Sequence, residues 1–413
     1  HWQIVRTKDI FNHRKEEALE DDEIVTAFRD GQVTLRKNRR TDGFTNSIKE
    51  HGYQHINSGD LVIHEMDAFA GAIGVSDSSG KSTPVYSVCY AKNENINHHF
   101  YSHFFRTMAK TGFINSLAKG IRVRSTEFRW NESRNVYLVE PPKSDQQKIV
   151  AFLDTETTRI DNLIAKQEKL IELLEEQRKS IISHAVTKGL NPNAPMKDSG
   201  VEWLGQVPEH WNISKLRYYL DGIKDGTHGT HVSTTEGQLL LSGKNIKNGK
   251  LVITDNERKI SLEDHQKITA NGFPKKGDLL INVVGTIGQS CIYELDTPIS
   301  FQRSVCFLRA NNKLKPNFLQ RILESNLSQN QLKILTNKST IGGVYMGDLV
   351  ELIIPVVPIK EQNKITDYLD REIQEIVNCI DKQKLLIEKL KEYRSSIISH
   401  AVTGKIDVRE FDA

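Results

Sequence analysis

The sequence predicts an α+β protein in which two mixed α/β domains alternate with two long antiparallel helices. A stretch of 43 residues occurs twice, at 145–187 and 361–403, with 25 identical positions. The region before each copy contains short apolar, β-branched runs bounded by Gly, Pro and Asn, which is typical of strands and turns. The chain is therefore an internal duplication, and a pseudo-two-fold repeat is expected.

Each copy of the repeat predicts a helix of about five heptads that packs along another helix. Apolar residues recur in alternating steps of three and four, with charged residues between them. At about 1.5 Å per residue each helix is roughly 60 Å long, too long for an ordinary core helix. The predicted seam consists of Ile149, Leu153, Ile160, Leu163, Leu170, Leu174 and Ile181 in the first copy, and Ile365, Leu369, Ile376, Cys379, Leu386, Leu390 and Ile397 in the second.

Local signals mark where the helices begin and end. Two prolines at 141–142 precede a capping-box spacing at 144–147, and Gly189 and Gly404 follow the two copies. The first helix leads through a short linker into the second domain, which runs directly into the second helix. We therefore expect an antiparallel coiled coil with one domain at each end.

Gln167 and Gln383 interrupt the two seams at equivalent positions. Buried polar residues at such positions can fix the register of a coiled coil. Solvated positions at the flank of the seam are an equally open interpretation.

These signals divide the chain into six segments. We predict a first domain at 1–142, a first helix at 143–188, a linker at 189–202, a second domain at 203–358, a second helix at 359–403 and a tail at 404–413. Both domains begin with His-Trp-x-Ile, at 1–4 and 210–213. From this repeat we expect that residues resembling 198–209 originally preceded His1.

Composition limits the class of protein. The 413 residues are 38% hydrophobic, enough for two cores of about 100–150 residues each. A net charge of +3 permits nucleic-acid binding without indicating it, so a DNA surface would have to concentrate basic residues locally. The sequence has no signal peptide or membrane-length apolar run, and its four cysteines lack CxxC spacing, which predicts a cytoplasmic protein with reduced thiols.

No catalytic or metal site is predicted. Residues 74–82 resemble a phosphate-binding loop, but five residues separate the glycines where the motif has four, and a Thr-Pro pair follows where a helix should begin. His99 and His103 lie four residues apart without the glutamate or third ligand of a zinc site. Nucleophile-elbow, dinucleotide-binding and adenine-methyltransferase motifs are missing as well.

Three features occur together along the chain. Two divergent domains alternate with two similar helices, a Glu-Trp-x-Gly-x-x-Pro-x-His-Trp segment occupies 202–211, and both helices start with Gln-x-Lys-Ile. Short segments at 225–228, 277–281 and 285–288 add to the pattern. Together these features resemble the specificity subunit of a type I restriction-modification enzyme, and the resemblance covers essentially the whole chain.

The resemblance implies a non-enzymatic DNA reader with two target-recognition domains, one for each half of an asymmetric, gapped target. The helices would act as a spacer and bind two modification subunits, which carry S-adenosylmethionine and methylate adenine. Two restriction subunits would add translocation and cleavage that depend on ATP and Mg. This chain itself is expected to bind no cofactor.

Basic and hydrogen-bonding residues in loops are the candidate DNA contacts, because Lys and Arg bind phosphates while Arg and Asn also read base edges. A solvated charged loop and ordinary turn chemistry are the alternatives for these segments. The candidates are Arg36, Lys37, Asn38, Arg39 and Arg40 in the first domain, and Thr227, His228, Thr230, His231, Lys244, Asn245, Lys247, Asn248, Lys250 and Arg303 in the second.

Other functional classes stay open from the sequence. A coiled-coil adaptor explains the helices but not the basic loops in both domains. A nuclease or methyltransferase that acts alone would need the motifs that are missing. A specificity subunit of another multi-subunit restriction or phage-defence system fits the same residues.

Overall fold

The structure, a computed structural model, describes residues 2–39, 51–117, 128–270, 272–338 and 342–411. The chain divides into two compact units. Unit 1 contains His1–Gln167 and Lys384–Ala413, and unit 2 contains Glu168–Gln383. Each unit holds one globular domain and one half of each long helix.

The first domain and the first long helix come first along the chain. The strands are β1 (Gln3–Arg6), β2 (Phe11–His13), β3 (Val25–Ala27), β4 (Val33–Leu35), β5 (Gln54–Ile56), β6 (Leu61–His64), β7 (Ile73–Val75), β8 (Gly80–Ser82), β9 (Tyr86–Ala91) and β10 (Tyr137–Glu140). The helices are α1 (Thr7–Ile10), α2 (His98–Lys110), α3 (Phe113–Leu117), α4 (Trp130–Ser133) and the long α5 (Lys143–Lys188).

The second domain and the second long helix follow. The strands are β11 (Met196–Asp198), β12 (Gln206–Pro208), β13 (Asn212–Lys215), β14 (Leu220–Asp225), β15 (Gln238–Leu241), β16 (Ile246–Lys247), β17 (Lys250–Leu251), β18 (Lys259–Ile260), β19 (Leu279–Asn282), β20 (Ser290–Ile292), β21 (Ser300–Phe301), β22 (Val305–Ala310) and β23 (Ile353–Val356). The helices are α6 (Leu262–Ala270), α7 (Pro316–Glu324), α8 (Asn326–Lys338), α9 (Met346–Leu349) and the long α10 (Ile359–Val402).

Both domains are built on an antiparallel four-stranded sheet with the same strand order. The order is β2-β9-β6-β7 in unit 1 and β14-β22-β19-β20 in unit 2. The inner strands β6 and β19 are almost entirely buried, which explains why both read as continuous apolar runs in the sequence. In both domains a strand near the start pairs with the last strand, as β1 with β10 and β13 with β23.

Local sequence explains why one helix covers each sheet. Asn97 caps α2, since its side chain accepts hydrogen bonds from the backbone N–H groups of His99 and Phe100. Pro316 starts α7, where its missing N–H costs nothing. Each helix buries its apolar face in the core of its own unit.

In unit 1, the first half of α5 packs with the second half of α10. Ile149, Leu153 and Ile160 share one apolar core with Ile397 and Val402. The guanidinium of Arg394 also donates two hydrogen bonds, of 2.8 and 3.0 Å, to the carboxylate of Asp161. The helices therefore run antiparallel within this unit.

In unit 2 the other halves pack in the same sense. Ile182 and Val186 near the end of α5 share a core with Ile365, Leu369 and Ile373 near the start of α10. The buried indole of Trp211 donates a 3.1 Å hydrogen bond to Glu361, which ties the start of the second domain to the start of α10.

The predicted seam is wrong at two positions. Leu170 is 37% exposed and Leu386 is 42% exposed, whereas Ile380 and Ile387, each one residue beyond a predicted seam position, are buried. The reason is the geometry of a straight helix. At 3.6 residues per turn, a buried stripe drifts away from a strict seven-residue repeat by about 20° per heptad.

The predicted linker contains ordered structure. Its strand β11 pairs with β12 in a short antiparallel hairpin. Val207 and Leu204 of this hairpin pack on Leu327 at the start of α8. The side chain of Lys188, at the end of α5, donates hydrogen bonds to the carbonyls of Leu204 and Gln206. The segment is thus a folded connection within unit 2.

Candidate nucleic-acid interface

The basic run of the first domain follows a β-hairpin. Strands β3 and β4 pair through the register Val25 to Leu35, with the buried Val33 anchoring the hairpin in a small core. The chain then forms a 3-10 turn at Arg36–Asn38. Lys37, Asn38 and Arg39 are exposed there, while Arg36 is partly buried.

Ion pairs at the surface orient this run. Arg39 lies 2.7 Å from the carboxylate of Asp30 and stacks on the Phe28 ring, with 4.2 Å between its guanidinium carbon and the ring centroid. Lys37 pairs with Glu23. Exposed pairs of this kind contribute about 0–1 kcal/mol, so a DNA phosphate can replace the carboxylate at little cost.

Two members of the predicted run need separate comment. Asn38 donates a 2.8 Å hydrogen bond from its amide nitrogen to Thr34 Oγ1, which occupies part of its hydrogen-bonding capacity. Arg40 lies outside the described residues. For the other exposed members, DNA contact stays a prediction.

In the second domain, the loop after β14 is held against a neighbouring strand by a glycine. A Cβ on Gly226 would lie 2.3 Å from the carbonyl oxygens of both Phe301 and Gln302, so only glycine fits there. Thr227 N donates a 2.8 Å hydrogen bond to Phe301 O, and Arg303 N donates a 3.0 Å bond to Thr227 O. The close approach places Thr227 beside the exposed Arg303.

The histidines of this loop are fixed by its own polar groups. His231 Nε2 lies 3.0 Å from Thr227 Oγ1, and His228 Nε2 lies 2.5 Å from Asp225 Oδ2. The carbonyl of His231 accepts a hydrogen bond from Arg258. His228 and Thr230 face solvent, whereas His231 is half-buried.

The lysine-rich segment forms a tight hairpin. Strands β16 and β17 pair across Asn248 and Gly249, which have φ angles of 50° and 76°. Consecutive positive φ angles are typical of a type I′ turn, which Asn-Gly favours. The turn leaves Lys247, Asn248 and Lys250 exposed.

Asn245 has a different role from the one predicted. It is 2% exposed, its amide nitrogen donates a 3.0 Å hydrogen bond to Val252 O, and its oxygen accepts a 3.0 Å bond from Ser242 N. The side chain therefore holds the lysine hairpin in place and offers no free amide to a base. Burial of this kind depends on contacts that the sequence alone does not define.

Glu257 supports the same hairpin. Its carboxylate lies 2.9 Å from the ammonium of Lys244. The ion pair with Lys244, followed by hydrogen bonds with Asn245 and Thr254, lowers the pKa of Glu257 to about 2. Lys244 therefore faces a carboxylate that stays charged at neutral pH, which fixes its position at the edge of the hairpin.

One short segment joins the separately predicted groups of the second domain. Strand β21 runs parallel to β15, and Gln302 N donates a 2.8 Å hydrogen bond to Leu241 O. Ser304 Oγ then accepts a 3.0 Å bond from Gly243 N, beside Lys244. Arg303 thus lies between the histidine loop and the lysine hairpin, at the centre of one candidate surface.

Several residues that support this surface had no distinct signal in the sequence. Asn282, a fully buried residue of β19, donates hydrogen bonds to Gly243 O at 3.0 Å and to Thr286 Oγ1 at 2.8 Å. Arg258 and Ser304 also position the loops. The pairing of β15 with β21 joins residues about sixty positions apart, so the local periodicity of the sequence does not predict it.

A cavity of about 340 Å³ lies behind the histidine loop. It is lined by Thr227, His228 and His231, by charged residues such as Lys267, and by apolar residues such as Phe273 and Phe301. In the described part of the chain no group of three or more His, Cys, Asp or Glu residues could hold a metal ion. Within the same part, no helix is both long and apolar enough to cross a membrane.

Comparison with known proteins gives a family match over most of the second domain and more than half of α10. Residues 234–389 match the family described as "Type I restriction modification DNA specificity domain". This region includes the lysine hairpin and Arg303.

Individual relatives extend the similarity. The chain is 26% identical over 318 residues to the type I restriction enzyme MjaVIII specificity subunit of Methanocaldococcus jannaschii, covering 75% of this chain and 71% of that protein. It is 24% identical over 310 residues to the EcoBI specificity subunit of Escherichia coli, covering 71% of this chain and 63% of that protein. The chain thus spans 71% and 63% of the lengths of these two relatives.

Two solved structures share the fold. A chain from a study of complex assembly and conformational transition of the type I R-M system aligns with a TM-score of 0.71 and 18% identity, covering 98% of both chains. The HsdS subunit from Thermoanaerobacter tengcongensis aligns with a TM-score of 0.55 and 18% identity, covering 98% of this chain and 97% of that one.

Proposed function

The chain belongs to the specificity subunits of type I restriction-modification systems, and we propose that it reads one asymmetric DNA target in two separate halves. Members of this family are DNA-recognition subunits without catalytic activity of their own. In this proposal each domain reads one half of the target.

The observation that carries the proposal is that the two domains share one sheet framework but differ in their exposed loops. The two domains share the strand order of their four-stranded sheets and the pairing of a strand near the start of the domain with its last strand. Their exposed loops differ, with Lys37 and Arg39 after a hairpin in unit 1 and Arg303 with Thr227 in unit 2. Two equivalent frames with unlike contact residues favour a target whose halves are unlike.

Chemistry of the loops supports DNA as the ligand. Arg303 carries a planar guanidinium that can bind guanine O6 and N7 with two hydrogen bonds, and Lys247 and Lys250 can bind phosphates. Thr227, whose backbone oxygen accepts a hydrogen bond from Arg303 N, adds a short hydrogen-bonding side chain beside it, and His228 follows in the same loop. Each bidentate base contact provides about 1–3 kcal/mol of discrimination.

The two long helices are proposed to be an antiparallel coiled-coil spacer that also binds two modification subunits. Exposed apolar side chains support a docking role, because large apolar residues outside a core often mark interfaces. On α5, Leu170 and Leu173 are 37% and 49% exposed, and on α10, Leu385 and Tyr393 are 62% and 49% exposed. Helix length would then set the unread gap in the target.

Cofactors and catalysis are assigned to partner subunits in this proposal. S-adenosylmethionine would be held by the modification subunits, and ATP with Mg by two restriction subunits. The complex would act on double-stranded DNA in the cytoplasm.

The test is the mapping of methylated adenines in cells that express the candidate modification subunit with and without this chain. We expect one asymmetric, gapped motif that appears only when the chain is present. Copurification of the two proteins without any new methylation would favour a coiled-coil adaptor instead. A motif that appears with partners of another defence system would keep DNA reading and change the type of system.

A further inference from the structure

A group of cations outside the predicted DNA-binding loops lies in unit 1, where α2 meets the second half of α10. Lys110 Nζ lies 3.5 Å from Ser395 Oγ, which places it next to Arg394 on α10. Arg106 lies one turn earlier on α2. The lysine is exposed, and the two arginines are partly buried.

Arg106 is held without a carboxylate partner in the described part of the chain. Its guanidinium lies against Gly31, where an added Cβ would come within 2.4 Å of it. Its Nε is buried and makes no hydrogen bond to described residues. An arginine whose Nε makes no hydrogen bond to described residues keeps a donor that suits an anion.

The neighbouring charges do not neutralise this group. Burial, and then Arg394, lowers the pKa of Arg106, while Asp30 opposes the shift. Asp30 also binds Arg39, and Asp161 is the carboxylate bound to Arg394. With Arg39 included, four cations therefore lie near only two carboxylates. The remaining positive charge favours an anion as the ligand.

The cation group is continuous with the candidate DNA surface. The turn between β3 and β4 connects them, because Phe28 carries the stacked Arg39 on one side and Gly31 covers Arg106 on the other. The turn itself is closed by a 2.9 Å hydrogen bond from Gly31 N to Phe28 O. The basic run and the cations on α2 and α10 thus border the same turn.

We propose that Arg106, Lys110 and Arg394 bind neighbouring phosphodiesters of the DNA backbone and extend the DNA surface of unit 1 onto α2 and α10. The inference rests on the proposed function. Because phosphate contacts carry no base information, these residues would position the DNA while the loops read it. Helix α10 would then bind DNA as well as connect the units.

The test is the salt dependence of binding of the full chain to a mixed-sequence DNA duplex. Each lost phosphate contact should reduce the slope of log K against log salt by about 0.9. Over a fourfold salt range, each contact accounts for about a 3.5-fold change in affinity. We expect Lys110→Gln to reduce the slope by about one contact, and the double variant Arg106→Gln/Lys110→Gln to reduce it by about two.

Three controls separate the outcomes. Lys110→Arg should keep the wild-type slope, since the charge is kept. Lys389→Gln removes an exposed cation of α10 that pairs with Glu392 and lies about 140° around the helix from Arg394, and it should also leave the slope unchanged. Thermal unfolding shows whether each variant is folded, and Lys110→Gln keeps the test valid if the double variant is not.

Two results would overturn different claims. A wild-type chain that binds no duplex even at low salt would contradict the proposed function itself. Wild-type binding with an unchanged slope in folded Lys110→Gln would contradict only the phosphate site on α2 and α10.

Discussion

Gln146 and Gln362, which lie 216 positions apart at the starts of the two long helices, make the same set of hydrogen bonds inside their own units. The Gln146 amide nitrogen donates to Pro141 O at 2.8 Å and to Asn95 O at 3.1 Å. Its oxygen accepts a 2.8 Å bond from Asn97 N. One buried side chain thus joins β10, the start of α2 and the start of α5.

Gln362 repeats this arrangement in unit 2. Its amide nitrogen donates to Val357 O at 2.7 Å and to Lys313 O at 2.9 Å, and its oxygen accepts a 2.8 Å bond from Lys315 N. Both glutamines are at most 1% exposed. The Gln-x-Lys-Ile sequence at each helix start therefore encodes a joint between a domain and a helix.

Loss of this joint should be costly. We expect Gln146→Ala to lower the free energy of unfolding by about 2–4 kcal/mol, because a buried N–H group and two buried carbonyls lose their partner. Gln147→Ala, at the exposed neighbouring position, should change it by less than about 0.5 kcal/mol. Urea denaturation measures both, and equal stability of the two variants would contradict this role for Gln146.

The glycine of the histidine loop offers a second test. Gly226→Ala would place a methyl group 2.3 Å from two backbone oxygens, so the loop must move away from β21. We expect at least a tenfold loss of affinity for the target duplex, equivalent to about 1.4 kcal/mol, because Thr227 and Arg303 separate. The matched control is Gly222→Ala, where the added atom would meet its nearest neighbour at 3.8 Å. Electrophoretic mobility shift compares them, and equal affinities would show that the loop does not contact DNA.

Stability should depend on pH through His103. Burial, together with Arg106, His99, Arg394 and Lys110, lowers the pKa of His103 to about 4. Between this value and about 6.5 the unfolded chain binds a proton that the folded chain does not, so stability falls as the pH falls through that window.

The histidine's contribution can be isolated by comparison with His103→Gln. We expect the wild type to lose stability more steeply than the variant between pH 6.5 and 4, by at most about 1.4 kcal/mol per pH unit. Urea denaturation at a series of pH values gives the difference. Parallel curves for the two proteins would show that His103 titrates normally in the folded state.

The exposed apolar side chains of the helices predict where a partner binds. Leu385→Lys should weaken copurification with the modification subunit at least tenfold, because a charge would be buried at an apolar contact. Leu385 is 62% exposed, so the folded chain itself should tolerate the change. Lys382→Gln, an exposed polar substitution on the same helix, is the control. Undiminished copurification of Leu385→Lys would exclude this part of α10 from the interface.

The sequence predicted the family through its motifs, and the mixed α/β architecture and the position of both long helices through periodicity, which is a local property. It failed at Leu170 and Leu386, where the drift of a straight helix accumulates over several heptads. It also assigned Asn245 to DNA, although the fold buries that side chain, whose amide nitrogen donates a hydrogen bond to Val252 O. Assembly of the loops around Arg303 depends on the parallel pairing of β15 and β21, which residue spacing does not reveal.

The central claim is that each domain reads its own half of the target. The most direct measurement is sequencing of methylated adenines in cells that express the modification subunit with one of three chains: the wild type, Lys37→Gln/Arg39→Gln, or Arg303→Gln. We expect the wild type to produce one gapped motif. Lys37→Gln/Arg39→Gln should change methylation only through the half of the motif that unit 1 reads. Arg303→Gln should reduce the preference for one base in the other half by about tenfold. Changes by both variants in the same half, or in both halves at once, would contradict the account.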